Sequence, residues 1–447
     1  MSIDLSGRDA NLESTDIVIS VSGLDPLIKL GNVLPWPEMM DRVAEDLKST
    51  TAKGFWWVGR NIIVRIHLAI FLLQKLYDLT DRMVIEQLRG NAVFQLFCGY
   101  GIVKNWKIPA FTKVEEFRNR LSPETQRWIV NLLAREAVAL KIADPSSLDV
   151  DSTVQEANMA YAADGNLMVK LARKVGKVAK WLAEKAGVVV PTSISELMAP
   201  LGSLAKGYFF ASKKDDVKMA ALATLHAHVK KLLYTALETF ESLPRKVRAS
   251  MPQNITLHLD HVTEKGKRYM LDVAHYLRTG KMKPGKILSF HLSEVAYINK
   301  NKVGKQAQFG REYQIGRLTG NIVIASPSLT IRTNDKAAMA GMVGLHRDLF
   351  GKGVLDSVSA DRGYYSRANQ SALAAVGETS LGYQWHDQGE ADFRRLADRR
   401  AGIEPIIGHI KQGGQLDRSR MKSDQATYAA GYGAMVGFNL RQIMRAL

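Results

Sequence analysis

Hydrophobic positions recur at helical spacing through the first third of the chain. From Asn61 to Tyr77 they cover most of a helix circumference, which predicts a buried helix. Thr80 is placed to cap the next helix, with Asp81 and Glu86 in or near its first turns. Met83, Val84 and Leu88 keep helical spacing there, and Gly90-Asn91 ends it. A further apolar stretch runs from Ala92 to Phe97, and Phe117 to Ala143 is again helical until Asp144-Pro145 stops it. Residues 1–55 have the texture of a polar, partly ordered arm, in which Pro35-Trp36-Pro37 breaks any early helix. Residues 56–145 are therefore expected to form an all-helical N-terminal domain.

The period then changes. Ser147 to Val154 alternates as a strand, with Leu148 and Val150 on one face and Asp149 and Asp151 on the other. Helical, basic sequence follows over residues 165–285. After Pro284-Gly285 the pattern predicts strands over Lys286–Asn299, Gln308–Leu318 and Asn321–Ser326, joined by a Lys/Asn/Gly-rich turn from Asn299 to Lys305. Asp335 to Phe350 is a helix. Val354 to Ala360 is a strand ending at Asp361-Arg362-Gly363, Ser366 to Val376 a short helix, and Ser380 to Trp385 a short strand. The chain is helical from about Ile403. Residues 146–447 thus predict one α/β unit interrupted by a helical insertion.

Composition narrows the function. The 447 residues are 46% hydrophobic and 23% charged, too apolar for a disordered chain. Lys and Arg number 61 against 44 Asp and Glu, a net charge of +17 that favours a polyanionic partner. Residues 165–285 hold 21 basic and 9 acidic residues, hence +12 of that excess. A solvated helical face would have such charges, but their concentration favours a phosphate-contacting arm. The single cysteine, Cys98, excludes a disulfide framework and cysteine-based zinc fingers, and suits a reducing cytoplasm. No segment offers the roughly 18 charge-free apolar residues of a membrane span; the nearest, Asn61–Tyr77, contains Arg65 and His67. The N-terminus opens acidic, with Asp4, Asp9, Glu13 and Asp16, and lacks a signal pattern.

Several chemistries are absent. Each Gly-Lys pair lacks the following Ser or Thr of a phosphate loop: Gly176-Lys177 precedes Val, Gly285-Lys286 precedes Ile, and Gly351-Lys352 precedes Gly. No nucleotide cofactor is expected. The pairs His226/His228 and His258/His261 lack zinc-hydrolase spacing and are expected to be surface or core histidines.

The acids at strand ends are the candidate chemistry. Asp151 lies late in the first strand, Asp361 ends a later one, and Glu404 opens the C-terminal helix. Carboxylates converging beside a sheet repel one another unless cations join them, and hard oxygen donors select Mg²⁺ or Mn²⁺. Asp149 competes with Asp151 for the role. Pro405 disfavours helical geometry at Glu404, so Arg400 and Glu404 need not share one helix. Lys411 follows Glu404 by nearly two turns and can face the same site.

The wording around these acids is specific. Asp151-Ser152-Thr153-Val154-Gln155, then Ala360-Asp361-Arg362-Gly363-Tyr364, then the run Arg400 to Lys411 with Glu404 inside it, occur in that order. Lys286-Ile287-Leu288-Ser289, Asn301-Lys302 and Gln308-Phe309-Gly310 form a middle block. Leu76 through Cys98-Gly99-Tyr100, and Ala434 to Arg445 with Gly437-Phe438-Asn439-Leu440, flank it. From about residue 55 onward this resembles the DDE transposases of bacterial insertion sequences, in the branch with an InsH-like helical N-terminal domain. The resemblance implies an RNase H-like mixed five-stranded sheet flanked by helices, with Asp151, Asp361 and Glu404 as catalytic residues and ligands of Mg²⁺ or Mn²⁺, two ions in all. The family's Tyr-x2-Arg-x3-Glu-x6-Lys signature maps onto Arg400, Glu404 and Lys411, but its Tyr position is Ala397. Tyr364 or Tyr365 would then supply that DNA contact beside Arg400 and Lys411. The long insertion follows the first Asp, unlike that of hairpin-forming relatives. The implied partners are double-stranded DNA, as terminal inverted repeats and target, and a second copy or more of the chain; the implied location is the cytoplasm. A non-catalytic DNA-binding protein (a regulator or decayed transposase) and a nuclease that stops at hydrolysis are the alternatives. A helix-turn-helix within residues 61–98 competes with a plain helical bundle or dimer surface.

Overall fold

The structure is a computed structural model and describes residues 21–49, 61–99, 107–159, 162–211, 215–302, 305–327, 335–374, 376, 378–380 and 390–447. Seven helices open it: α1 (Pro26–Val33), α2 (Trp36–Ser49), α3 (Asn61–Tyr77), α4 (Asp81–Gly90), α5 (Ala92–Phe97), α6 (Phe111–Arg120) and α7 (Pro123–Ala139). Their starts follow local chemistry. Asp25 accepts from the Leu27 amide at 2.8 Å with Pro26 behind it, Thr80 from Met83 at 3.2 Å, and Asn91 from Phe94 at 3.1 Å. Ser122 caps α7 and splits the single helix expected over Phe117–Ala143 into two.

Residues 26–49 correct the expectation of a polar arm over 1–55. Leu27, Leu30, Met39, Val43 and Leu47 are buried in the main core, and Pro35 merely separates two helices. Acids spaced between those apolar positions gave the segment its polar average, while one face of each helix is dry. Residues 1–20, including the acidic opening, lie outside the described residues, as does Tyr100.

The sheet begins with β1 (Asp144–Glu156). The insertion follows: α8 (Asp164–Lys185), α9 (Thr192–Met198), α10 (Leu201–Phe209), α11 (Asp215–Glu241), α12 (Arg245–Ala249), α13 (Gln253–Asp260), a π-helical turn His261–Gly266, and α14 (Lys267–Thr279). It has a core of its own, built from Leu171, Val175 and Leu182 of α8 against Leu225, Leu232 and Phe240 of α11. Its entry and exit are pinned together, since Lys286 Nζ meets Asp164 Oδ2 at 2.7 Å in a buried pair and Tyr269 donates to the Asp164 carbonyl at 3.0 Å.

The chain then returns as β2 (Ala296–Lys302), β3 (Lys305–Thr319), β4 (Val323–Ala325), α15 (Asp335–Phe350), β5 (Ser357–Ala360), α16 (Arg367–Ala372), β6 (Glu378–Ser380), α17 (Glu390–Ala401), α18 (Ile403–Gly414) and α19 (Asp424–Ala446). Strand order is β2-β3-β1-β5-β6, with β4 paired to β3. β1 runs antiparallel to β3 and parallel to β5, so the sheet is mixed and β1 lies at its centre. Gly320 (φ +90°) and Asn321 (φ +60°) lie in the three-residue turn from β3 to β4, where positive φ lets the chain reverse sharply. The expected strand over Lys286–Asn299 pairs only from Ala296, and the expected strand over Ser380–Trp385 is described only to Ser380. α17 was not legible as a helix.

The N-terminal helices and the sheet share one core. α19 packs between them, touching α3 and α7, with Tyr432, Phe438 and Leu440 buried. Asn439 joins the layers by accepting from the Val323 amide at 3.0 Å and donating to the Val130 carbonyl at 3.2 Å. No described helix is long and apolar enough to cross a membrane.

Candidate active site

The central strand and its parallel neighbour set the site. Val150 pairs in register with Ala360. Asp151 follows Val150 within β1, and Asp361 follows Ala360 just past the end of β5, so the two acids start from neighbouring backbone positions. Asp151 is half-buried and accepts from the Ser152 amide at 2.7 Å. Burial pushes its carboxyl above the usual range, opposed by that amide and by Arg400, and reinforced by Asp361 and Asp335. Asp361 is exposed and also caps the 3-10 turn Arg362–Tyr364, accepting from the Arg362 amide at 2.6 Å.

Arg400 and Glu404 come from either side of a break. α17 ends at Ala401, Gly402 turns, and α18 starts at Ile403 with Glu404 in its first turn. Pro405 then sits where a helix tolerates it. Arg400 lies 3.5 Å from Asp361 and 3.6 Å from Glu404, so one guanidinium stands between two exposed carboxylates. Ile403, Ile406, Ile407 and Ile410 bury the other face of α18. That leaves Glu404 exposed and Lys411 half-buried on the outward side.

A buried carboxylate holds this junction over the sheet. Asp149, 1% exposed, accepts from Arg317 at 2.7 and 3.0 Å, from Arg399 at 2.7 Å and from Ser359 at 2.6 Å. Arg317 also donates to the Arg399 carbonyl at 2.7 Å, and Arg399 to Ser357 at 2.5 Å. β1, β3, β5 and α17 are thereby clamped through one side chain, and Asp149 is a salt-bridge partner. The turn must approach Arg317 closely: a Cβ at Gly402 would lie 2.4 Å from its Nη1.

One expected contact changes. Tyr364 is 1% exposed and its hydroxyl donates to Gln314, so it braces the sheet and offers no ring to a DNA strand. Burial, together with Asp335 and Asp151, pushes that hydroxyl far above the usual tyrosine range. Tyr365 is half-buried against the core, and Ala397 is half-buried in α17. Sequence reasoning missed Asp335. It opens α15, accepts from Gln314 at 3.2 Å, and is near enough to Asp151 to disfavour its charge. Nothing in its local sequence distinguishes it from an ordinary first-turn acid.

Three carboxylates of hard oxygen character fit Mg²⁺ or Mn²⁺ by donor chemistry. Among the described residues no three His, Cys, Asp or Glu side chains stand close enough together to hold an ion as placed; the Arg400 guanidinium lies among them.

Residues 19–120 match the family model of a transposase domain, DUF772. The matched segment runs from before α1 to the end of α6 and so includes the helices first read as an arm. It supports a transposase role in general, with DNA as the partner that role implies. No curated protein and no solved structure matches the chain.

Proposed function

We propose that the chain is a DDE-type DNA transposase of the insertion-sequence kind, with an RNase H-like catalytic sheet. It binds the terminal inverted repeats of its element as a dimer or higher oligomer, cleaves the ends, and joins the freed 3′-hydroxyls to target DNA. The single observation that supports this reading is the placement of Arg400, 3.5 Å from Asp361 and 3.6 Å from Glu404 and near enough to Asp151 to favour its charge, which links segments some 250 residues apart in sequence. The mixed sheet with β1 central is compatible with the RNase H-like assignment, and the transposase-domain match supports the class independently.

The roles follow from placement. Asp151 and Asp361 are fixed by strand register, and Glu404 by the clamp on the α17–α18 turn. Bound by these three, divalent ions would activate a water or a 3′-hydroxyl and stabilise the leaving oxygen. Arg400 holds Asp361 and Glu404 as a counter-ion and is placed to turn to a DNA phosphate. Lys411, seven residues or about 10 Å along α18, is a point charge for the next stretch of backbone. Cleavage and joining are both in-line displacements at phosphorus, so one set of carboxylates serves both.

The test uses duplexes carrying the DNA that flanks the gene. Asp151→Ala, Asp361→Ala and Glu404→Ala should each bind such duplexes as wild type does, while cleavage in Mg²⁺ falls at least about 100-fold, as when a group stabilising developing charge is removed. Normal cutting by Asp361→Ala would refute the assignment. A wild-type protein that nicks but never joins would reassign it to a hydrolytic nuclease.

A further inference from the structure

The histidine pair His258/His261 is not absorbed by the catalytic reading. Both rings turn the Nδ1 atom to one lysine: Lys174 Nζ lies 3.2 Å from His258 and 2.9 Å from His261. Lys174 donates, so both rings accept and are neutral. Lys174 and His258 line a cavity of about 270 Å³ between α8 of the insertion and the segment that returns to the sheet. Lys170, Arg173, Lys174 and Lys177 recur along α8 at i, i+3, i+4 and i+7, which places them on one face. Leu167, Leu288 and Phe290 form an apolar floor, and His291 closes the far side.

No acidic residue lines this cavity, and among the described residues none of the four cations is in an ion pair. Asp164 is taken by Lys286. Asp424 reaches His291 only at a distance, with its oxygens accepting from the Ser293 and Glu294 amides at 2.9 and 3.0 Å. Among the described residues this positive charge is therefore uncompensated. Burial and the neighbouring Lys177, Lys265 and Lys170 hold Lys174 down to about 8, against an ordinary 10.5. Four cations converging on a concave site without a carboxylate call for an anion of several oxygens.

We propose that this cavity is a second DNA contact, a site for backbone phosphate separate from the acidic centre. The central strand links the two. β1 carries Asp151, runs five residues further to Glu156, and is followed by Met159 in the cavity wall. At about 3.3 Å per residue, Asp151 to Glu156 spans about 17 Å, or about five base-pair steps of duplex at 3.4 Å each. Arg418, whose guanidinium donates to the Met159 carbonyl at 3.0 Å, adds positive charge there. A duplex placed at the acids can thus set a phosphate in the cavity. This inference rests on the reading of the chain as a DNA-processing protein, but not on its cutting DNA.

The test measures duplex affinity by fluorescence anisotropy across a salt series, using the full chain and the triple variant Lys170→Ala/Arg173→Ala/Lys177→Ala. These side chains are exposed, and circular dichroism checks the fold. Each phosphate contact contributes about −0.9 to the slope of log affinity against log salt. Removing three should shrink the affinity lost between 50 and 200 mM salt by about 40-fold. The second arm adds inorganic phosphate and reads the thermal midpoint, with stabilisation expected in wild type and absent in the variant. An unchanged salt slope overturns the proposal. If phosphate stabilisation is nonetheless lost, the cavity belongs to a free phosphate compound instead. Asp361→Ala should keep the wild-type slope. A chain that binds through the cavity but never cleaves would retire the transposase reading and leave this site standing.

Discussion

At the residue scale, alternation showed that Asp149 and Asp151 share a strand face, and nothing nearer could separate them. The difference lies in partners 168 and 250 residues away, Arg317 and Arg399, which claim Asp149 and leave Asp151 beside Asp361. Asp149→Ala would strand two half-buried guanidinium groups around a buried site, a loss of about 3 kcal/mol, seen as a lower urea midpoint. Asp149→Asn, which keeps the shape but loses the charge, should recover only part of it. Full recovery would show that shape alone matters. His261 gives a pH signature. Burial first, then Lys174 and Lys265, holds it down to about 4 from 6.5. The folded ring therefore stays neutral while the unfolded ring takes a proton below 6.5. Its contribution is complete above pH 6.5 and is lost as pH falls towards 4. Urea midpoints should drop between pH 7 and pH 5, and His261→Gln should narrow the drop. An equal drop in the variant would place the effect elsewhere.

At the element scale, caps and breakers were the most legible signals. Thr80, Asn91 and the Pro405 boundary all lie where the local chemistry requires. Alternation misled once. Leu288, Phe290, Leu292 and Val295 are buried, as the pattern over Lys286–Asn299 indicates, but residues before Ala296 form no ladder. They pass between the insertion and the sheet and fill the gap between two cores. Period two reports a chain extended over an apolar surface, whether or not another strand pairs with it. The insertion's separate core has a consequence of its own. Leu171 is fully buried in it. Leu171→Ala should destabilise this unit by about 2–5 kcal/mol, with hydrogen exchange speeding up in α8 and α11 while β1 and β3 stay protected. Uniform acceleration would mean that insertion and sheet unfold together.

At the scale of the whole molecule, net charge and the basic insertion pointed to a polyanion before any fold was considered. The shared core of N-terminal helices and sheet was not legible, because it depends on α19, the last helix, returning between α3 and α7. The pairing of two acids was hidden for the same reason: sheet order, not sequence distance, makes Asp151 and Asp361 neighbours. Arg400 now balances two of those acids. Arg400→Ala should therefore raise the affinity for Mn²⁺ while weakening the affinity for duplex DNA; a parallel loss of both would argue against the counter-ion role.

The most direct measurement is an electron paramagnetic resonance titration of Mn²⁺ into the full chain bound to duplex DNA, comparing wild type with Asp361→Ala. The account predicts Mn²⁺ bound by wild type and an affinity at least about tenfold weaker in the variant, equivalent to about 1.4 kcal/mol. Equal binding by the two proteins, or none by wild type, would contradict it.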